Sequence, residues 1–440
     1  MSSEWQTTTL GKICAAQGGA IQTGPFGSQL HTSDYKEFGV PVVMPTNIGD
    51  GGIVEDGIAR IDAADVERLS QHKLRTGDII FSRLGDVTKN ALIRPHEVGW
   101  FCGTGCLKVR LGNETVATAK FISHCLRLPD IKDWLVRHAV GATMPNLNTG
   151  ILSAVPICLP PLQTQLEIAE ILGALDDRIA LLRETNATLE AIAQALFKSW
   201  FVDFDPVRAK LEGRTPEGMD EATAALFPDG FEESELGLVP RGWRLGALAN
   251  LAEFQNGYAF KSKDWVDAGH PVVKIGDVKP GIIDFAGCSF VTPALTTGLD
   301  RFRLQRGDLL VGMTGYVGET GLVADVEPAA YLNQRVGRIA TARGMHDRGF
   351  VYCLVRNTDF KAYAEAQSQG SAQANVSGSA LLNYGSILPT TDVYTKFNDL
   401  MHPILETILS NHEQAQTLAT LRDTLLPRLI SGQLRLPEVS

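Results

Sequence analysis

Gly39-Val40-Pro41-Val42-Val43 and, further along, Arg75-Thr76-Gly77-Asp78-Ile79-Ile80 both return about 230 residues later, as Gly269-His270-Pro271-Val272-Val273 and Gln305-Arg306-Gly307-Asp308-Leu309-Leu310. Gly85 falls on Gly315 at the same shift. Gly141-Ala142-Thr143-Met144-Pro145-Asn146-Leu147 pairs with Gly370-Ser371-Ala372-Gln373-Ala374-Asn375-Val376, one residue out of that register. Each half also opens on an aromatic residue and a Leu-Gly step, Trp5 to Leu10-Gly11 and Trp243 to Leu245-Gly246. A repeat of this length means that one folding unit occurs twice, so it has to be read before any local structure.

Inside each half, short β-branched runs are punctuated by Gly, Pro, Asn and Asp, as in Ile79-Ile80-Phe81 after Gly77-Asp78, which predicts strands joined by tight turns. Helical stretches such as Lys120 to Val140 interrupt them, so each unit is expected to be an α+β domain. Asp78 and Asp308 read as turn formers.

A different pattern follows each unit. Ile168, Leu172, Leu175, Ile179, Leu182, Asn186, Leu189, Ala193 and Leu196 step by alternating fours and threes, the spacing of a coiled-coil seam. Phe397, Met401, Ile404, Ile408, Asn411, Ala415, Leu418, Arg422 and Leu425 repeat the stepping at a shift of 229. Each stripe either lies on its own unit's core or packs on the other stripe, and two matching stripes favour the second arrangement. Asn186 and Asn411 either fix register by pairing or sit wet at the seam's edge. The expected fold class is thus two pseudo-symmetric α+β domains joined by two long helices that form an antiparallel coiled coil, with the units at opposite ends. The boundaries are 1–160 for the first domain, 161–204 for the first helix, 240–390 for the second domain, 391–432 for the second helix and 433–440 for a tail. Residues 205–239, dense in Pro and Gly, cannot continue a helix and read as a linker.

Composition bounds what such a chain can do. It has 440 residues, 44% of them hydrophobic, enough for two well-buried cores, and no run approaches the roughly 18 apolar residues of a membrane helix. The polar start, Met1 to Leu10, lacks the basic-then-apolar order of a signal peptide, which predicts a cytoplasmic protein with free thiols. The cluster Cys102, Cys106, Cys125 and His124 lacks zinc-site spacing and reads as buried small hydrophobes. Net charge is −10, but the excess acid is local. Residues 1–155 carry 15 Lys/Arg against 15 Asp/Glu and residues 240–389 carry 15 against 13, whereas residues 156–239 carry 6 against 16. The two units can therefore still offer basic faces to phosphate.

Phe197-Lys198-Ser199-Trp200-Phe201-Val202-Asp203-Phe204-Asp205-Pro206-Val207-Arg208-Ala209-Lys210, after the first heptad helix, resembles the central conserved region of type I restriction-modification specificity subunits. Ile21-Gln22-Thr23-Gly24-Pro25-Phe26-Gly27-Ser28 with Pro41-Val42-Val43-Met44-Pro45, and Pro240-Arg241-Gly242-Trp243 with Asn256-Gly257-Tyr258-Ala259-Phe260-Lys261-Ser262, resemble the openings of that family's two target recognition domains. Leu425-Leu426-Pro427-Arg428-Leu429-Ile430-Ser431-Gly432 resembles its second conserved end. The resemblance implies a bipartite double-stranded DNA target, one half read by each domain, with the helices setting the gap. It also implies two modification subunits that complete an adenine methyltransferase, and two motor-nuclease subunits for restriction. S-adenosylmethionine, ATP and magnesium would then belong to those partners, and no cofactor is expected on this chain.

Enzymatic readings fail on the residues themselves. Pro160-Pro161 stands between Leu159 and Leu162, not in the Asn/Asp-Pro-Pro-aromatic motif of an adenine methyltransferase. Gly11-Lys12 continues into Ile13 and makes no phosphate-cradling loop. Pro129-Asp130 and Pro228-Asp229 lack the downstream partner of a nuclease. Asp203 and Asp205 form a carboxylate pair at a helix end and read as surface or subunit contacts rather than as catalysts. No catalytic or metal-binding residue is assigned. The rival to a DNA reader is a structural scaffold that reuses the same two-domain design to organise proteins.

The candidate DNA contacts are loop residues. Gly24, Phe26 and Ser28 offer backbone N–H groups and a hydroxyl to phosphate, or form a plain turn. Arg83 suits a bidentate grip on guanine and Lys89 a phosphate contact, against the alternative of solvated charges; Thr314 and Tyr316 stand at the matching place in the second half. Asn146, Asn148, Gln373 and Asn375 lie in polar stretches suited to adenine edges or to tight turns. Lys261 and Lys263 add charge to the second opening.

Overall fold

The computed structural model describes residues 5–49, 52–141, 143–235, 237–368 and 374–436. The chain forms two compact units, Met1–Arg178 with Leu418–Ser440, and Ile179–Thr417.

In the first unit a four-stranded antiparallel sheet runs in the order Gly18–Thr23, Cys106–Gly112, Ile79–Ser82, Asn90–Leu92. The run that sequence reading singled out, Ile79-Ile80-Phe81-Ser82, is buried at every position. Successive side chains point to opposite faces, so Ile79 and Phe81 enter one core with Leu107 and Val109, while Ile80 enters another with Val43, Leu74 and Ile93. A second sheet, Tyr35–Lys36, Ala59–Ile61, Val40–Val43 and Phe101–Cys102, is antiparallel except for its last pair, where Val42 lies parallel to Phe101. The second unit repeats the plan. Leu309–Gly312 sits inside a sheet ordered Ala252–Asn256, Val336–Thr341, Leu309–Gly312, Thr320–Leu322, Gly281–Ile282, and Trp265–Val266, Ser289–Val291, His270–Val273 and Tyr331–Leu332 form the companion sheet. Leu309 and Val311 again face one core and Leu310 another.

The Gly-Asp turn explains its own repetition. Gly77 and Gly307 adopt φ of +82° and +83°, a region that disfavours any side chain, and the following aspartate caps the turn by accepting the N–H of Arg75 or Gln305 at 2.9 Å. Both aspartates do more than form a turn. Asp78 is buried and takes two hydrogen bonds from Arg110, and Asp308 accepts one from Arg338 at 2.8 Å, so each turn is tied to the neighbouring strand by a charge-assisted bond. Between these repeats the units diverge. Arg306 reaches the second long helix, bonding Glu406 at 2.5 Å and Glu413 at 2.8 Å. The matching residue of the first unit is Thr76, which lines a cleft of about 930 Å³ with His124 and Asp177.

Two sequence expectations are corrected. The stretch from Lys120 to Val140 is two helices, Ala119–Cys125 and Pro129–His138, because Pro129 has no N–H for a helix interior and instead begins the second helix. Residues 205–239 are packed structure rather than an open linker. The first long helix, Leu162–Phe201, stops before Phe204, whose φ of +57° is left-handed. Helices Asp205–Leu211 and Glu221–Ala225 and a hairpin pairing Phe231–Ser234 with Gly237–Pro240 follow. Pro and Gly excluded a continuous helix, but Phe204, Val207 and Phe227 carry enough apolar surface to dock on the core formed by Phe197, Trp200 and Trp243. Asp203 and Asp205 are satisfied locally, by Lys198 and by the Ser199 hydroxyl.

The second long helix, Thr391–Ile430, also has 40 residues. Within the second unit the two long helices pair antiparallel. Asn411 Nδ2 donates to Asn186 Oδ1 at 2.9 Å, Asn186 Nδ2 donates to the Ile408 carbonyl at 2.8 Å, and Phe197 meets Phe397 edge-on. The asparagines therefore pair with each other. Within the first unit Ile168 and Leu172 share a core with Leu426, Leu429 and Ile430. Ile179, Leu182, Met401 and Ile408 are buried as the seam predicts, and Leu175, Leu189, Leu196, Ile404, Leu418 and Leu425 are half-buried. The stripe is wider than a two-helix seam because each helix also lies on its own unit's core. Leu405 and Leu409 are fully buried for that reason, and Leu426 is buried where the heptad stepping pointed to Leu425.

One buried ionic group joins three elements of the first unit. Asp176 accepts from Arg127 at 2.6 Å and from Arg422 at 2.7 Å, with His124 Nδ1 3.8 Å away. Burial pulls the His124 imidazole down to about 4, against the attraction of Asp176, so it is neutral at pH 7. Unfolded histidine titrates near 6.5. The stability held by neutral His124 is therefore complete above about pH 6.5 and is lost as pH falls toward 4, amounting to about 2 kcal/mol at pH 5. Replacing His124 by leucine, an apolar side chain with no titrating group, should flatten that part of the dependence. Denaturant unfolding at pH 7.5 and pH 5 checks this, and an equal loss in both proteins would put the titrating group elsewhere.

The seven cysteines are free thiols, six of them buried, and burial pushes Cys102 up to about 12 and Cys125 well above its ordinary value.

Candidate nucleic-acid interface

In each unit the central strand ends in a loop that meets a second loop from much later in the chain. After Ile79–Ser82, the Arg83 N–H donates to the Gly105 carbonyl at 2.8 Å, and the Arg83 carbonyl accepts from Leu147 at 2.9 Å. Gly85, at φ +75°, donates to Pro145 at 3.1 Å. Arg83 Nε then reaches Asn146 Oδ1 at 3.3 Å across 63 residues of sequence. The second unit reproduces this atom for atom on the backbone: Met313 donates to Arg335 at 3.1 Å, Val376 to Met313 at 2.9 Å, and Gly315, at φ +72°, to Ala374 at 3.2 Å. Here Thr314 Oγ1 donates to Asn375 Oδ1 at 2.7 Å. Leu84 with Asn146, and Thr314 with Asn375, form the same isolated β-bridge. A fixed backbone joint thus carries different side chains in the two halves, as suits a constant scaffold with variable readers.

Exposure falls on the tips of these joints. Gly85, Asp86, Lys89, Tyr316 and Asn375 are exposed, Tyr316 by 62%. Lys89 borders a depression of about 280 Å³ shared with Thr88, Asn90, Arg127 and Lys132. Thr314, Gln334, Arg335 and Asn375 line another of about 340 Å³. Sequence reading missed Gln334, Arg335 and Lys132. The signal for Arg335 was present but indirect, since Arg335 stands where the repeat places Gly105, and only the strand register shows that position beside the loop joint.

The other candidates separate from this joint. Gly24 is glycine because a Cβ there would come within 2.1 Å of the Gly103 carbonyl oxygen, and its N–H already donates to Cys106 at 2.9 Å. Phe26 is exposed by 55%, its N–H bound to Gln29 Oε1, and Ser28 is exposed on the same loop. Lys261 and Lys263 are exposed at a short turn where Asp264 accepts the Lys261 N–H at 2.7 Å. Asn148 caps the helix Thr149–Ala154 by accepting from Ile151, so its side-chain oxygen is committed to the fold. Gln373 lies outside the described residues.

Among the described residues no helix is long and apolar enough to cross a membrane, and no group of three or more His, Cys, Asp or Glu is arranged to hold a metal ion.

The pattern of the type I restriction modification DNA specificity domain matches residues 2–191 and again residues 240–420, one match to each half of the repeat. The type I restriction enzyme HindI specificity subunit of Haemophilus influenzae is 25% identical over 440 residues, covering 90% of this chain and 95% of that one. The MjaIX specificity subunit of Methanocaldococcus jannaschii is 24% identical over 327 residues, 73% of this chain and 70% of its own. The crystal structure of a type I restriction-modification S subunit from M. genitalium has the same fold, with a TM-score of 0.56 at 15% identity over 99% of this chain and 97% of that one. With the pattern found twice, in register with the internal repeat and over most of the length, this chain belongs to the type I restriction-modification DNA specificity family.

Proposed function

We propose that the chain reads a bipartite double-stranded DNA site, one half with each α+β unit, as the specificity subunit of a type I restriction-modification complex. What supports this most directly is the loop joint built twice on the same backbone hydrogen bonds with different side chains at its tip. Catalysis belongs to other subunits of such a system. Two modification subunits would transfer the methyl group from S-adenosylmethionine to adenine, and two motor-nuclease subunits would use ATP and magnesium. The reading as a protein-only scaffold is set aside, because the family matched in both halves is a DNA specificity family.

Replacing residues 240–389 with the equivalent segment of a relative should change one half of the methylated motif and leave the other unchanged. Methylome sequencing of cells carrying the hybrid with its modification subunit is the assay. A change in both halves together would show that the units do not read independently.

A further inference from the structure

The two loop joints share a backbone, but they take their arginine from opposite members of the same hydrogen-bonded pair. In the first unit the pair is Arg83 N–H to Gly105 C=O, with the arginine on the donor side. In the second it is Met313 N–H to Arg335 C=O, with the arginine on the acceptor side. Each joint therefore carries one arginine, Arg83 bonded to Asn146 of the facing loop and Arg335 lining one depression with Asn375, although the repeat does not align the two arginines. Asn146 Oδ1 holds Arg83 through Nε and leaves its two Nη groups for another partner. Arg335 is exposed and opens with Asn375 and Thr314 onto the same depression.

Among the described residues neither arginine of the joints is committed to a carboxylate, unlike several arginines that tie the scaffold together, namely Arg110, Arg306, Arg338 and Arg356. Asp86, on the same loop as Arg83, is turned to Thr88, accepting from its N–H at 3.1 Å and from its hydroxyl. A planar fork with unclaimed N–H donors, at the tip of a rigid joint, matches the adjacent O6 and N7 acceptors that guanine shows in the major groove.

We propose that Arg83 and Arg335 are the specificity-determining residues of the two half-sites, each reading a guanine through its guanidinium fork, with Asn146 holding Arg83 in place. This rests on the DNA-reading function proposed above. It predicts at least one G·C pair in each half of the target.

The test uses the full chain assembled with its modification subunit. The methylated motif is mapped first, and methylation rates are then measured on duplexes carrying every single-pair change. Arg335→Gln should relax discrimination at one G·C pair of one half-site by about tenfold to a hundredfold, leaving the other half unchanged, and Arg83→Gln should do the same in the other half. Arg335→Lys, which keeps the charge but loses the fork, should relax the same pair while binding stays salt-sensitive as before. A uniform fall on all sequences, with the motif intact, would mean that the arginine holds phosphate and would overturn the assignment. Unchanged rates and motif in both Arg335 variants would overturn it equally. Absence of any motif for the wild-type complex would overturn the DNA-reading function itself, and this assignment with it.

Discussion

Inserting one heptad into both long helices at matched positions is expected to lengthen the unread gap between the half-sites by about three base pairs, with both half-site sequences unchanged. Each residue advances a helix by 1.5 Å, so seven add roughly 10 Å against about 3.4 Å per base pair of DNA. Seven residues also preserve the apolar seam, whereas four would rotate everything beyond the insertion and set polar residues against it. The matched positions are decided by the pairing. The 229-residue shift alone would match Ala187 with Gln416, but Asn186 faces Asn411, so an insertion after Ala187 needs its partner beside Asn411. The wild-type spacing should lose methylation almost entirely, and an unmatched four-residue insertion should abolish activity. Methylome sequencing of each variant with its modification subunit reads the result. An active heptad variant that keeps the original gap would transfer the ruler from the helices to the partner subunits.

Removing the Asp176 carboxylate should be among the most destabilising single changes in the first unit. Burial alone would push this carboxyl up, but the Arg127 and Arg422 guanidiniums hold it below the usual carboxylate range. Both arginines are less than a tenth exposed. Asp176→Ala takes from them the anion they share and should cost about 3 kcal/mol, the scale of a broken buried ion pair. Asp423, which also pairs with Arg422, is 61% exposed, and Asp423→Ala should cost under about 1 kcal/mol. Denaturant unfolding of the two variants side by side makes the comparison, and a similar small loss in both would show that the Asp176 group is solvated in solution. Because Asp176 and Arg422 come from the two long helices, Asp176→Ala should also weaken the antiparallel pairing in this unit.

Much of this molecule was legible in the linear sequence because its determinants are periodic or local. The 230-residue repeat, the Gly-Asp turn before each central strand and the heptad stepping all express short-range rules: φ above zero needs glycine, a strand alternates every second residue, and a seam recurs every 3.5. Those rules fix which segments form most of the elements, and together with the family resemblance they point to a two-unit DNA reader. They do not fix what a segment packs against. Composition made residues 205–239 a linker, yet the burial of Val207 and Phe227 depends on apolar surface supplied by Trp200 and Trp243, which only the folded chain brings near. The seam widened to Leu405 and Leu409 for the same reason, because a helix with two partners has two buried faces. The reading joint was the least visible part. Arg83 meets Asn146, and Thr314 meets Asn375, across 63 and 61 residues, and Arg335 joins them only through strand register. Sequence by itself determined the elements and their duplication, since these follow from interactions a few residues apart. The tertiary structure decided which side chains share a surface, since that depends on contacts whose partners the chain order does not reveal.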